Sequence, residues 1–286
     1  MTELADHRGT SDPTPAERRA EFRRLHDAGC FVLPNPWDAG TAVALAQMGF
    51  PALATTSAGA GFARGVPDEP GALSVDAVIE HVAHVTAAVG VPVNADFQSG
   101  YAADPAGVAV NVERCVATGV AGLSIEDATG AEDAPLFDLS EAVARIRAAR
   151  QAIDRSGQDV LLTGRAECFL VGHPDPLTES LRRLQAYAEA GADVLYAPGV
   201  RAPSDIRAIV DAVAPKPVNV LVSADIGLRV ADLADLGVRR VSVGSALARV
   251  AWGAFLRVAG EIAADGSFAG LDTAAPFAQL NDLFRP

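Results

Sequence analysis

Asn94-Ala95-Asp96-Phe97-Gln98-Ser99-Gly100-Tyr101 is a stretch in which an apolar run stops abruptly at acidic and polar residues. The same break recurs at Leu123-Ser124-Ile125-Glu126-Asp127, at Leu161-Leu162-Thr163-Gly164-Arg165 and at Ala52-Leu53-Ala54-Thr55-Thr56-Ser57. Short continuous apolar runs are what strands buried on both faces of a parallel sheet require, and such sheets gather their chemistry at the carboxyl ends of the strands. Carboxylates and one arginine then converge on a single mouth. That arrangement suits an enzyme handling a small anion with a divalent metal.

Around these stretches, β-rich runs alternate with longer segments of helical period, the pattern of repeated βα units. Strands are expected at 30–33, 52–55, 93–96, 122–125, 161–165, 194–196, 218–221 and 241–243. Helices are expected near 37–48, 74–89, 105–118, 140–156, 176–190, 203–213 and 230–236. Several helices end in glycine just before the next strand, as in Ala190-Gly191-Ala192-Asp193 and Leu236-Gly237-Val238, where the left-handed closing position favours glycine. This regular punctuation favours one α/β fold, a (β/α)₈ TIM barrel, over a doubly wound open sheet. A helix at 16–28 precedes the barrel, and segments at 245–264 and 273–284 follow it. Residues 1–15 read as a loose tail and 16–286 as a single domain. Ser245-Ala246-Leu247 reads either as a phosphate-binding turn or as a plain helix cap.

The 286 residues fit one barrel, and half of them are hydrophobic, yet no apolar stretch approaches the roughly 20 residues of a membrane span. The first residues lack the apolar core of a secretory signal. A net charge of −13 without a basic patch argues against nucleic acid. Cys30, Cys115 and Cys168 cannot all pair and sit in or near apolar runs, so they read as reduced thiols of a cytoplasmic protein. Lys216 is the single lysine and precedes a strand, the wrong end of a barrel for Schiff-base chemistry.

Strand alternation puts Asp96 and Gln98 on one face, and Glu126 ends the neighbouring strand. Such hard oxygen donors suit Mg²⁺ or Mn²⁺. Arg165 offers a planar fork for a carboxylate, or an ion pair with Glu126 or Glu167. Tyr101 and Asn219 fall on the same rim as candidate substrate contacts, and His173 lies beyond strand five as a candidate acid or base. Gly59-Ala60-Gly61-Phe62-Ala63-Arg64-Gly65 reads as a mobile gate whose Arg64 meets a second carboxylate, or simply as a flexible loop. His81 and His84, at helical spacing, read as a solvated face rather than a zinc site.

Asn35-Pro36-Trp37-Asp38-Ala39-Gly40, Thr56-Ser57-Ala58-Gly59, Val66-Pro67-Asp68, Asp96-Phe97-Gln98-Ser99-Gly100-Tyr101, Ile125-Glu126-Asp127 and Gly164-Arg165-Ala166-Glu167 together resemble the isocitrate lyase/phosphoenolpyruvate mutase superfamily. Later segments resemble its phosphonomutase-like, oxaloacetate decarboxylase-like branch. The resemblance implies a Mg²⁺-dependent lyase acting on a small α-keto or α-hydroxy carboxylate through an enolate. It implies metal ligation by Asp96, with Glu126 and Asp68 ligating directly or through waters, and substrate binding at Ser57, Ala58 and Arg165; by their position Gln98 is a further candidate metal ligand, Gly59 and Asn219 further candidate substrate contacts, and Arg165, Tyr101 and Glu126 the candidate catalytic residues. It further implies a homo-oligomer, dimer or tetramer, with C-terminal helices swapped between subunits.

The chain departs from that pattern twice. Gln98 stands where members usually carry a second acid. The segment after strand four, Ala128-Thr129-Gly130-Ala131-Glu132-Asp133-Ala134-Pro135-Leu136, has none of the Cys, Lys, His or Asn of the lyase and mutase lids. Decarboxylation of an oxaloacetate-like acid asks least of that lid. A specialised lyase or P–C bond mutase is the alternative within enzymes, and a carboxylate-binding scaffold with a weakened metal site the alternative outside them.

Overall fold

The computed structural model describes residues 13–285. Helix α1 (Pro15–Asp27) is capped by Thr14 and Glu17 in reciprocal hydrogen bonds. The barrel strands are β1 (Phe31–Leu33), β2 (Leu53–Ala54), β3 (Val93–Asp96), β4 (Gly122–Glu126), β5 (Leu161–Arg165), β6 (Val194–Tyr196), β7 (Val218–Leu221) and β8 (Arg240–Ser242). Between them run α2 (Ala39–Gln47), α3 (Ser57–Ala63), α4 (Val75–Ala87), α5 (Pro105–Ala117), α6 (Leu139–Ser156), α7 (Pro176–Glu189), α8 (Pro203–Val213) and α9 (Val230–Asp235). Helix α10 (Ala246–Asp265), a 3₁₀ turn (Ala269–Thr273) and α11 (Phe277–Leu283) complete the chain.

All eight strands are parallel and pair in sequence order, with β8 returning to β1. The remaining seam is narrow. Ala54 N–H donates to the Pro34 carbonyl at 3.0 Å, and the Asn35 amide donates to the Thr55 carbonyl at 2.9 Å, so the ring of strands is nearly closed. The expected (β/α)₈ barrel is therefore present. Among the described residues no helix is long and apolar enough to cross a membrane.

The core lies between strands and helices. Leu123, Ile125 and Leu162 pack outward against Val112, Ile146 and Leu184 of the surrounding helices. Alternating strand geometry leaves Asn94, Asp96, Ser124, Asn219, Arg240 and Ser242 to line the interior cavity.

Three local expectations are corrected. The glycine-rich stretch at 59–65 is not a loose gate: most of it is α3, capped by Thr56, with Ala58, Gly59, Ala60 and Gly61 buried. Its glycines serve close packing, since a Cβ on Gly59 would stand 2.6 Å from Thr56 Cγ2 and 2.8 Å from Trp37 Cβ. Arg64, at the end of that helix, is exposed and donates back to the Ala60 carbonyl. His81 is not on a solvated face. It falls in the buried stripe Val78, His81, Val82, Val85 of α4, while His84 is exposed. Burial lowers the His81 pKa to about 4, and its Nε2 has no partner.

Candidate active site

Strands β3, β4 and β5 deliver Asp96, Glu126 and Arg165 side by side at their carboxyl ends, as the sequence predicts. Arg165 Nη1 lies 2.9 Å from Asp96 Oδ1 and 2.9 Å from Glu126 Oε2, and its Nε lies 2.8 Å from Glu167 Oε1. The Tyr196 ring packs 5.2 Å from the guanidinium carbon. Burial opposes the charge on Arg165, but Glu126, Glu167 and Asp96 outweigh it and hold the guanidinium well above its usual range. Burial likewise pushes Glu126 well above the carboxylate range, with Glu167, Asp96 and Asp68 adding to it against the pull of Arg165.

Beneath this cluster lies a cavity of about 160 Å³. Ser57, Ala58, Asp68, Asp96, Arg165 and Asn219 line it. The Ser57 amide donates to Asp96 Oδ2 at 2.9 Å, which fixes the carboxylate, and Thr55 Oγ1 accepts from the Asp96 backbone amide at 2.9 Å, which fixes the backbone that carries it. Asp68 stands on the solvent-facing rim, its pKa raised first by burial and then by Asp96.

Other predicted residues fall outside the cavity wall. Glu126 stands behind Arg165. Gly59 packs against Trp37. Gln98 does not continue the alternation of β3, because the strand ends at Asp96 and Gln98 enters a left-handed turn at φ 41°. Its Nε2 reaches Asp68 Oδ1 at 3.4 Å, from a separate hollow that also holds Tyr101. Tyr101, at φ 52°, packs edge-on against Phe97 at 5.2 Å. His173 accepts from the Asp175 amide in its own loop and does not line the cavity. The 128–136 segment folds on itself through an Ala128–Leu136 bridge and adds nothing to the wall.

Ser245 occupies the N-cap position of α10 without a side-chain cap bond, and with Gly244 it lines the cavity, while the preceding amides of Val243 and Gly244 are filled by Asn35 Oδ1 at 3.0 and 2.8 Å. Asp127 has a supporting role. Its Oδ1 accepts the Glu167 amide at 2.8 Å, and its Oδ2 accepts from Tyr187 and from Arg183 at 3.1 Å, so α7 braces the ends of β4 and β5.

Sequence reasoning missed Tyr196, Ser242 and Arg240 in the wall. The available signal was an arginine inside a strand, at Arg239-Arg240-Val241-Ser242.

Residues 22–263 match the family described as phosphoenolpyruvate phosphomutase. The chain belongs to that family. An uncharacterised protein of Mycobacterium tuberculosis (strain H37Rv) is 33% identical over 225 residues, covering 78% of this chain and 81% of that protein. A phosphonopyruvate hydrolase of Variovorax sp. (strain Pal2) is 33% identical over 226 residues, covering 74% of each. A crystal structure from Burkholderia cenocepacia J2315, provisionally assigned to the lyases or mutases, superposes with a TM-score of 0.90 at 46% identity, over 95% of this chain and 97% of that one. Relatives named 2-methylisocitrate lyase, oxaloacetate decarboxylase and 2,3-dimethylmalate lyase put carbon–carbon lyases among the family's members.

Proposed function

We propose that this protein is a divalent-metal-dependent lyase that breaks a carbon–carbon bond in a small α-keto or α-hydroxy carboxylate through an enolate, most concretely an oxaloacetate decarboxylase. The observation that carries this reading is the sharing of Arg165 Nη1 by Asp96 and Glu126, 2.9 Å from each, at a cavity that opens to solvent past Asp68. The cavity, about 160 Å³, is smaller than the roughly 300–1,000 Å³ of pockets for larger ligands, which favours a short acid.

The residues suit a hydrated Mg²⁺ or Mn²⁺. Among the described residues no three acidic, histidine or cysteine side chains converge into a cage. Mg²⁺ does not need one, since it keeps several waters and takes one or two direct carboxylates. Asp96 and Asp68 face the cavity as the direct candidates, with Glu126 and the Gln98 amide acting behind them. Burial first, and then the neighbouring Asp96, raise the pKa of Asp68, and a dication placed beside both acids would favour their charged forms. When bound, the metal supplies charge stabilisation to an enolate oxygen.

The chain's own groups do the rest. Arg165 orients the carboxylate beside the reacting carbon, and the fixed polar groups of the wall face the developing charge. In the decarboxylation the bond to the departing carboxylate breaks, CO₂ leaves, the electron pair forms the enolate of pyruvate, and a proton returns to the same carbon. Incubating the protein with oxaloacetate and Mg²⁺ or Mn²⁺ while following pyruvate tests this. Turnover no greater than the metal-catalysed background overturns it.

One observation favours a second reading, a carboxylate-binding scaffold. Gln98 presents an amide nitrogen, not an acid oxygen, to Asp68. Under that reading Gln98→Asp tightens Mg²⁺ binding by roughly tenfold, in the range for groups next to a metal ligand, without producing turnover. We further propose a cytoplasmic homo-oligomer joined through α10, which leaves Val250, Phe255 and Leu256 exposed on a helix with a single buried residue, Ala248.

A further inference from the structure

Four charged side chains line the cavity: Asp68, Asp96, Arg165 and Arg240. Arg165 is encircled by three carboxylates, so its charge is already matched. Arg240 is not. It opens β8, is 2% exposed, and bonds only neutral groups: Nε to Asn219 Oδ1 at 2.8 Å, Nη2 to Thr163 Oγ1 at 3.0 Å and Nη1 to His26 Nε2 at 3.4 Å. His26 donates from Nδ1 to the Phe22 carbonyl at 2.7 Å, which leaves Nε2 as an acceptor for the guanidinium. No carboxylate forms a salt bridge with Arg240 among the described residues.

A guanidinium removed from water without a counter-charge is costly, and such groups are normally paired. It carries five N–H donors, and the three contacts above leave one on each Nη unused. Burial lowers the Arg240 pKa to about 10, so the group remains a cation at neutral pH. The cavity is therefore polarised, with the acids Asp68 and Asp96 in one part of its wall and an unmatched cation in another. Ser242, whose Oγ accepts from Asn219 Nδ2 at 2.9 Å, stands beside Arg240 and offers a hydroxyl to an anion.

We propose that Arg240, with Asn219 and Ser242, forms an anion subsite in this cavity, and that the ligand is a dianion whose second acid group is held there. The proposal deepens the function proposed above and rests on it for the carboxylate class of ligand. It makes Arg240 a specificity-determining residue that distinguishes dicarboxylates from monocarboxylates.

Calorimetric titration with succinate and with butyrate, acids of equal length of which only the first carries a second carboxylate, each in the presence of Mg²⁺, tests it without requiring turnover. The wild-type protein is expected to bind succinate more tightly than butyrate, by on the order of tenfold or more. Arg240→Met is expected to lose that preference while its Mg²⁺ affinity, measured without carboxylate, stays unchanged. Because Arg240 also bridges β5, β7, β8 and α1, Asn219→Asp serves as a second variant. It sets a carboxylate against the guanidinium and is expected to lose the same preference with the guanidinium retained. A folded Arg240→Met or Asn219→Asp protein that keeps the succinate preference overturns the subsite and leaves Arg240 a brace. Butyrate and succinate binding equally to the wild type overturns it as well, while the proposed lyase function stands. Binding of neither overturns both.

Discussion

Arg165 and Asp96 meet at 2.9 Å across the ends of β5 and β3, a pair separated by 69 positions in sequence and buried to about the same degree. The pair does not stand alone, because the same Nη1 also reaches Glu126. One cation thus holds several acids that would otherwise repel one another. A buried ion pair of this kind adds little net stability relative to apolar packing, yet losing one partner strands the others.

Arg165→Met is accordingly expected to destabilise the fold by about 3–5 kcal/mol, measured by urea unfolding, because Asp96, Glu126 and Glu167 lose their shared counter-ion. Asp96→Asn keeps the shape and is expected to lower decarboxylation by roughly 10²–10³-fold, the scale for removing one preorganised electrostatic group. Full activity in Asp96→Asn would remove Asp96 from the site.

Gly59→Ala tests whether α3 is packed or loose. The added methyl would meet Thr56 Cγ2 and Trp37 Cβ at under 3 Å, so overpacking should cost about 1–3 kcal/mol. A mobile gate would tolerate the change with no shift in the urea midpoint.

His81 makes stability depend on pH in a defined direction. Its pKa falls from 6.5 to about 4 on folding, through burial and then Arg64. Below pH 6.5 the unfolded chain takes up a proton that the native chain refuses. Stability present above pH 6.5 is therefore lost as pH falls towards 4, at up to about 1.4 kcal/mol per pH unit. His26, lowered to about 3 by burial and then Arg240, adds a similar slope that continues to lower pH. Urea midpoints at pH 7, 6 and 5 should fall less steeply in His81→Leu than in wild type. An unchanged slope would show that His81 titrates normally.

The apolar face of α10 gives a prediction about assembly. Phe255 is 59% and Val250 71% exposed in the single chain, an arrangement that monomeric proteins seldom leave open. Light scattering on a sizing column should report a dimer or tetramer, and Phe255→Glu should shift it towards monomer. A monomeric wild type would contradict the assembly.

The legible part of the site was the part governed by strand period. Asp96, Glu126 and Arg165 end apolar runs, and parallel strands carry such ends to one mouth. Gln98 was misread because the period fails once the backbone turns to positive φ, which no pattern of side-chain polarity announces. The glycines at 59 and 61 signalled mobility in the sequence, whereas the space they leave is occupied by Trp37, Thr56 and Val66 from other segments. His81 was misjudged for a related reason: imidazole is polar by type, but Val78 and Val85 on the same stripe carry it inward.

The linear order of residues was sufficient to establish eight βα units, their parallel arrangement and the acidic rim, because hydrophobic periodicity and helix-closing glycines are local properties. Which charges are matched and which are left over was decided mainly by tertiary structure. Only Glu167, two residues from Arg165, marks an ion-pair partner in the local sequence, whereas Asp96 and Glu126 come from β3 and β4. Closure of the barrel surrounds Arg165 with carboxylates and Arg240 with an amide, a hydroxyl and a neutral imidazole. Charge compensation acts through space, over distances that chain separation does not encode.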